Sequence, residues 1–335
     1  MAKTRRTTAN IIYRGQPITT VLDATYTDNY DQTDDISLTL SDREMRWAND
    51  LFPRTGETLS AAIEVSDWSG PGDTRSIDLG KFEIDNVIFA DVVIINGVAV
   101  PITSSARSEK KDRAWRQISL SGIAGDVAGN AGLALVYDTG VDPFYDVADQ
   151  NNKSDLQFVE ELCKSDGLCM KVTDGQLIIF EESMYEAKPA VATIIKGSSD
   201  IIGFPRFTRN AKDVYKACEI SYFDPKTDET YTGYFEAPGE MEVGHTLRLR
   251  ESFNSESDDI NLDRKSRARL RERNKNEWQC NISLKGDLRF FAGTNVEFEG
   301  WGVFDGKYHI ATCAHRIRGS GFVTTLSTRR CLEGY

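Results

Sequence analysis

The stretch Gly306–Ile317, GKYHIATCAHRI, gathers residue types that hold metals or move protons. It carries two of the chain's three histidines, His309 and His315, and one of its six cysteines, Cys313. In an extended chain alternate side chains share a face, so positions 309, 311, 313, 315 and 317 are expected to point one way. At about 3.3 Å per residue, Cys313 and His315 would lie roughly 7 Å apart and could share an ion. His309 would lie roughly 13 Å from Cys313, too far for zinc bonds of about 2.0–2.3 Å. A tetrahedral site would need a further ligand, and the remaining histidine is His245. The stretch reads better as a half-buried strand, and neither metal nor cofactor is expected.

Other reactive residue types fare no better. Glu181 and Glu182 are adjacent. On a strand they face opposite sides, which is wrong for two carboxyls about 5–9 Å apart across a glycosidic bond. Cys163 and Cys169 have five residues between them, which is neither a redox nor a zinc spacing. No His-Glu-x-x-His or Gly-x-Ser-x-Gly pattern occurs. The chain is therefore not expected to be an enzyme. Arg264–Lys275 holds five arginines and two lysines, which tempts a nucleic-acid reading. Asp258, Asp259, Asp263, Glu272 and Glu277 dilute it, and no aromatic stacking platform accompanies it. A helix whose arginines pair with acidic neighbours, solvated or bridging subunits, is expected instead, with Arg267 and Arg271 as candidate contacts.

The elements that would position these groups must come from 335 residues, enough for two or more domains. The net charge of -12 disfavours general nucleic-acid binding. No leader with an apolar core opens the chain, and Val87–Ile102, the most apolar run, is broken by Asp91, Asn96, Gly97 and Pro101. No membrane anchor is expected, and synthesis in a cytosol with reduced, mostly buried cysteines follows.

Most of the chain reads as β-structure. DDISLTLSD alternates Ile36, Leu38 and Leu40 against polar partners. LGKFEIDNVIF alternates again, with Phe82, Ile84 and Ile88 expected on one face. RAWRQISLSGIAGDVA is a strand entering a helical segment. SDLQFVEELCKSDG has Ser154 at an N-cap and Gln157 at capping-box spacing. Its apolar stripe is Leu156, Val159 and Cys163, widened by Phe158 and Leu162, and Gly167 stops the helix. LCMKV and QLIIF around the turn TDG form a hairpin. Strands return in ATIIKG, YKACEISYF and ETYTGYFE, then comes the charged helix, then β-structure to the end.

The first and last β regions echo each other. Both contain Ile-Ser-Leu followed by a charged, aromatic stretch and a glycine, and GKFEI at Gly80–Ile84 parallels GKYHI at Gly306–Ile310. An internal duplication is expected. Two similar domains per chain would let three copies present six similar faces around one axis.

These motifs, in this order, resemble the phage late-control gene D proteins, the baseplate hub proteins of contractile tails and related injection systems. The matching stretches are RGQPIT, TDDISLTLSDREMRWANDLFPRTGETL, LGKFEIDNV, RAWRQISL, DQNNKSDLQFVEELCKSDGLCMKVTDGQLIIF and GDLRFFAGTNVEFEGWGVFDGKYHIATCAHRIRGSGFVTTL. The resemblance implies a mainly β protein with minor α: two tail-tube-like β-barrel domains, a small α+β insertion and a charged helix. The expected divisions are 1–145, a first barrel; 146–188, the helix-plus-hairpin unit; and 189–335, connecting strands, charged helix and second barrel. It implies a homotrimeric ring adapting a hexameric tail tube protein to a trimeric central spike protein. Tape-measure and baseplate wedge proteins are further implied partners, and sequence-specific nucleic acid is not. The implied place is the baseplate of a virion or tail-like particle, assembled in the bacterial host cytoplasm. His315 becomes a structural position. A host-surface or glycan-binding tail protein is the alternative, and a cell-wall hydrolase ranks below it. Phe52, Trp301 and Phe304, near glycine-rich turns, are the candidate contact residues.

Overall fold

The computed structural model describes residues 5–54, 56–68, 70–99, 105–224, 227–239, 244–251, 255–256 and 261–335. Thr55, Pro101, Ile102, Asp258 and Asp259, which entered the readings above, lie outside the described residues. Seven strands build the first unit: β1 (Arg6–Tyr13), β2 (Gln16–Pro17), β3 (Val21–Asn29), β4 (Asp35–Leu40), β5 (Thr58–Ser66), β6 (Thr74–Phe89) and β7 (Val93–Val98). Period-two patterning drives them: in β4 each of Ile36, Leu38 and Leu40 is buried and each neighbour is half-exposed. Their inner faces meet in one core with Leu59, Phe82 and Ile95, capped by Trp47 stacked on Tyr13.

The small unit contains α1 (Ser105–Ser108), β8 (Lys111–Ser119), α2 (Leu120–Ala131), β9 (Ala134–Asp138), β10 (Phe144–Lys153), α3 (Asp155–Ser165), β11 (Cys169–Thr173), β12 (Gln176–Phe180) and α4 (Glu182–Glu186). Helix α3 starts as its sequence requires, with both capping-box hydrogen bonds of Ser154 and Gln157 present. Strands β11 and β12 turn at Asp174 and Gly175, both at positive φ. The hydrophobic core of this unit reaches back to Ala106, Trp115 and Ile123. Leu120, Val127, Leu133 and Tyr145 belong to the same core, because α2 lays its apolar face on α3 and β9 pairs parallel with β12.

The remainder runs β13 (Ala190–Ile195), β14 (Ile201–Arg209), β15 (Ala217–Asp224), β16 (Glu229–Glu236), β17 (Thr246–Arg250), β18 (Ser255–Glu256), α5 (Leu262–Asn274), β19 (Trp278–Lys285), β20 (Asn295–Glu299), β21 (Gly306–Arg318) and β22 (Gly321–Arg330). Strands β16, β15 and β17 form a separate sheet under α5. The second barrel packs β13, β14 and β19–β22 over Tyr308, Phe298, Ile282 and Leu326.

Both barrels join in one 13-stranded sheet, and their topology repeats. In the first, neighbouring strands run β1-β5-β6-β7-β4-β3; in the second, β13-β20-β21-β22-β19-β14. One difference is that β1 is antiparallel to β5 whereas β13 is parallel to β20. The echo GKFEI and GKYHI falls at equivalent places: Gly80 and Gly306 both have positive φ, and the last three residues are buried in each. One residue later both strands bulge, between Ile84 and Asn86 in β6 and between Ile310 and Thr312 in β21.

The duplicated bulge overturns two expectations from strict alternation. Ile88 is turned outward and is 45% exposed, and Val87 packs on the core instead. In β21, Tyr308 and Ile310 precede the bulge and Cys313 follows it on the same core, so His309 faces away from Cys313 and His315. Counting pairs outward from the bulges makes Ile36 equivalent to Cys280 and Leu38 to Ile282. The Ile-Ser-Leu echo is thus offset by two residues, an offset that period two cannot detect.

Candidate functional site

Strand β21 holds the histidines, and each is spent on structure. His315 is buried between Phe291, Phe322 and Tyr26. Its Nε2–H donates to the Phe290 carbonyl at 3.0 Å, leaving Nδ1 to accept from Thr324 Oγ1 at 3.1 Å. His309 donates from Nδ1 to Asn295 Oδ1 at 2.8 Å. That direction follows because Asn295 Nδ2 already donates to the carbonyls of Tyr185, Glu186 and Lys188. Burial, assisted by Arg329, lowers the pKa of His309 to about 3, and burial lowers that of His315 to about 4. Both rings are neutral at ordinary pH. Among the described residues no group of three His, Cys, Asp or Glu side chains is placed to hold a metal ion.

The charged chemistry lies in two buried clusters that tie the units together. Glu182 and Glu186 on α4 meet Arg271 of α5 at 3.1 and 2.5 Å, and Arg329 of β22 at 2.6 and 2.5 Å. Burial pushes Glu182 up, but Arg329, Lys275 and Arg271 outweigh it and hold its pKa at about 2. Arg271 was expected at a contact surface; it is only 8% exposed and pairs within its own chain. The helix needs that inward arginine because α4 presents two carboxylates there. Arg267 stays exposed, its guanidinium 5.7 Å from the Phe235 ring. Arg264 and Lys265 hold Asp166 beyond the end of α3 at 2.6 and 3.1 Å, so α5 braces the small unit against the β15–β17 sheet.

The second cluster sits where the two barrels and the small unit meet. Lys171 of β11 bonds Asp28 and, at 3.1 Å, Asp34. Asp28 also accepts from the Ala292 amide at 2.8 Å, and Asp34 from Thr173 at 2.6 Å. Burial raises the Asp28 pKa to about 6, Asp34 adding to it and Lys171 opposing it.

Beside this cluster runs the seam between the barrels. β3 pairs antiparallel with β21 from Asn29↔Thr312 to Asp23↔Arg318, and Trp68 donates to the Gly286 carbonyl at 2.8 Å. A cleft of about 410 Å³ opens near it, lined by Arg5, Trp68 and Arg75 from one barrel and Asp200, Asp287 and Arg289 from the other. Phe52, 52% exposed, stacks on Phe89 at 5.8 Å beside the outer half of β6. Trp301 and Phe304 flank Phe207 of β14 at 5.2 and 4.8 Å. The structure therefore brings Trp301 and Phe304 together and sets Phe52 on the other barrel. Sequence reading missed β14 altogether, since Gly203 and Pro205 interrupt its pattern; Phe204, fully exposed, was the available signal.

No family model matches the chain, and no curated protein does. Solved structures do. A tail protein from Neisseria meningitidis MC58 aligns over 97% of this chain and 96% of its own, with TM-score 0.72 and 12% identity. The 43 kDa tail protein of prophage MuSo2 from Shewanella oneidensis aligns over 97% and 98%, with TM-score 0.69 and 12% identity. The E. coli c3393 protein, a type VI secretion component described as similar to T4 tail proteins gp27 and gp5, aligns over 97% and 78%, with TM-score 0.58 and 11% identity. The mainly β architecture built here, with two tube-like barrels, a small α+β unit and a charged helix, is the fold of these phage tail and secretion-system proteins.

Proposed function

We propose that the chain is a structural hub of a contractile tail or tail-like baseplate. Three copies form a ring in which six barrels alternate, two from each chain. One face of that ring continues a hexameric tail tube, and the other seats a trimeric spike. Tape-measure and wedge proteins meet it at its rim and lumen, and the particle is assembled in the bacterial cytoplasm. The function is geometric: the histidines and buried ion pairs hold barrels at fixed angles, and no reaction is assigned to them. By packing, the working units are the two barrels, the small unit beginning at α1, and the α5-covered sheet.

The observation that carries this reading is the repeated strand order of the two barrels, joined edge to edge within one chain. A chain holding two versions of one module is suited to matching a sixfold partner with threefold copies. Its solution mass, measured alone and with the spike protein, tests the reading. A particle of three times the 37.5 kDa chain, with or without spike, is the expected result. A chain that stays monomeric both alone and with the spike protein would refute it.

A further inference from the structure

Lys171 brings a primary amine into a buried site against two carboxylates. Its side chain is 14% exposed, that of Asp28 4% and that of Asp34 1%. Nζ touches Asp28 Oδ1 and lies 3.1 Å from Asp34 Oδ1. The other oxygen of Asp28, Oδ2, accepts from the Ala292 amide at 2.8 Å. A nucleophile, a carboxyl to attack, a backbone N–H on that carboxyl's second oxygen and a further carboxylate on the nucleophile are the parts that amide formation needs.

We propose that Lys171 and Asp28 condense in the folded chain to an isopeptide bond, tying β11 of the small unit to β3 of the first barrel. The chain reacts once with itself and gives off one water. Burial penalises both charges of the starting pair. It raises the Asp28 pKa to about 6, which brings the neutral, more electrophilic carboxyl within reach near neutral pH. A proton leaves the Lys171 ammonium for Asp34, and the electron pair of Nζ forms the new bond to Cγ of Asp28. Negative charge gathers on Oδ2, the oxygen that the Ala292 amide holds. The bond from Cγ to Oδ1 then breaks. Of the three ammonium protons, one stays as the amide N–H and two leave with Oδ1 as water. Asp34 carries them across and ends as the carboxylate it began.

Asp34 does not depend on the lysine. It accepts from Thr173 Oγ1 at 2.6 Å, the Asn29 amide at 3.1 Å and the Tyr26 hydroxyl at 3.2 Å, so it stays hydrogen-bonded once Nζ is an amide. Lys275 shows the contrast. It also lies between two carboxylates, Glu182 at 3.7 Å and Glu272 at 2.6 Å. There burial is outweighed by Arg329, Lys275 and Arg271, which hold Glu182 ionised with a pKa of about 2, and an ionised carboxylate resists attack. The Lys171 bond would join residues 143 positions apart, beside the seam of β3 with β21. Asp28 titrates only in chains where it has not closed.

The intact mass of the denatured full chain tests this. After incubation at pH 7 it should lie one water, about 18 Da, below the mass of the sequence. A digest should yield a β3 peptide joined to a β11 peptide through Asp28 and Lys171. Lys171→Arg keeps the charge but cannot form this bond, so it should show its full mass and melt about 5–10 °C lower. Asp34→Asn should slow closure at least about a hundredfold. A wild-type chain that keeps its full mass after a week, or a loss that persists in Lys171→Arg, overturns the proposal. So does a loss mapped to an Asp-Gly step such as Asp174–Gly175, where closure to a succinimide removes the same mass. Closure at the wild-type rate in Asp34→Asn overturns the role given to Asp34. The wild-type mass decides without any variant having to fold, and none of these outcomes bears on the ring.

Discussion

Acidification should weaken the fold through two histidines that touch no ligand. The pKa of His309 falls from 6.5 to about 3 on folding, and that of His315 to about 4. Below about pH 6.5 the unfolded chain binds protons that the native chain refuses, so stability is lost as pH falls toward the folded values. Between about pH 7.5 and pH 5 each histidine removes about 2 kcal/mol. Asp28 acts in the opposite sense: its folded pKa of about 6 lies above its unfolded one. Over the same interval it returns about 1 kcal/mol, leaving a net loss of about 3 kcal/mol. Urea unfolding at the two pH values measures this directly. His315→Gln should reduce the loss by about 2 kcal/mol, whatever it does to stability at the higher pH. A wild-type midpoint that holds or rises on acidification, or a His315→Gln chain with the full wild-type loss, would refute the reasoning.

Four further outcomes follow from particular positions. Glu186→Gln should cost about 3–5 kcal/mol in urea unfolding, because Arg271 and Arg329 stay buried with half their carboxylate charge gone. Lys171→Met should leave Asp28 and Asp34 facing each other without a cation, and amide exchange should quicken in β3 and β11 before it does in α3. A Cβ at Gly286 would fall 2.1 Å from the Phe322 ring, so Gly286→Ala should destabilise by about 1–3 kcal/mol. Gly70→Ala meets nothing within 4 Å, and its melting curve should move by no more than about 0.5 kcal/mol.

Local grammar was readable from the residues alone. Ser154 and Gln157 form the expected capping box, Asp174 and Gly175 turn the expected hairpin, and GKFEI and GKYHI occupy equivalent places. Two misreadings, those of Ile88 and His309, share one cause. Alternation assumes an unbroken pleat, and one extra residue at Asp85 and at Ala311 reversed the faces of Ile88 and His309. The inward pairing of Arg271 was not legible for a different reason: its partners Glu182 and Glu186 are more than 80 positions away, and charge composition does not say which side of a helix they approach. Phe52, Trp301 and Phe304 could be chosen as aromatics near glycine-rich turns, although only Phe52 is exposed and the other two are half-buried. Their places on two different barrels depend on non-local strand pairing that no short window contains.

The seam between β3 and β21 also sets a timetable. Asp23 and Arg316, which bridge it, are 293 positions apart. The outer flank of β3 therefore stays uncovered until residues nearly three hundred positions further along have been made and folded onto it. Such distant closure is slow and leaves a sticky border available to wrong partners meanwhile.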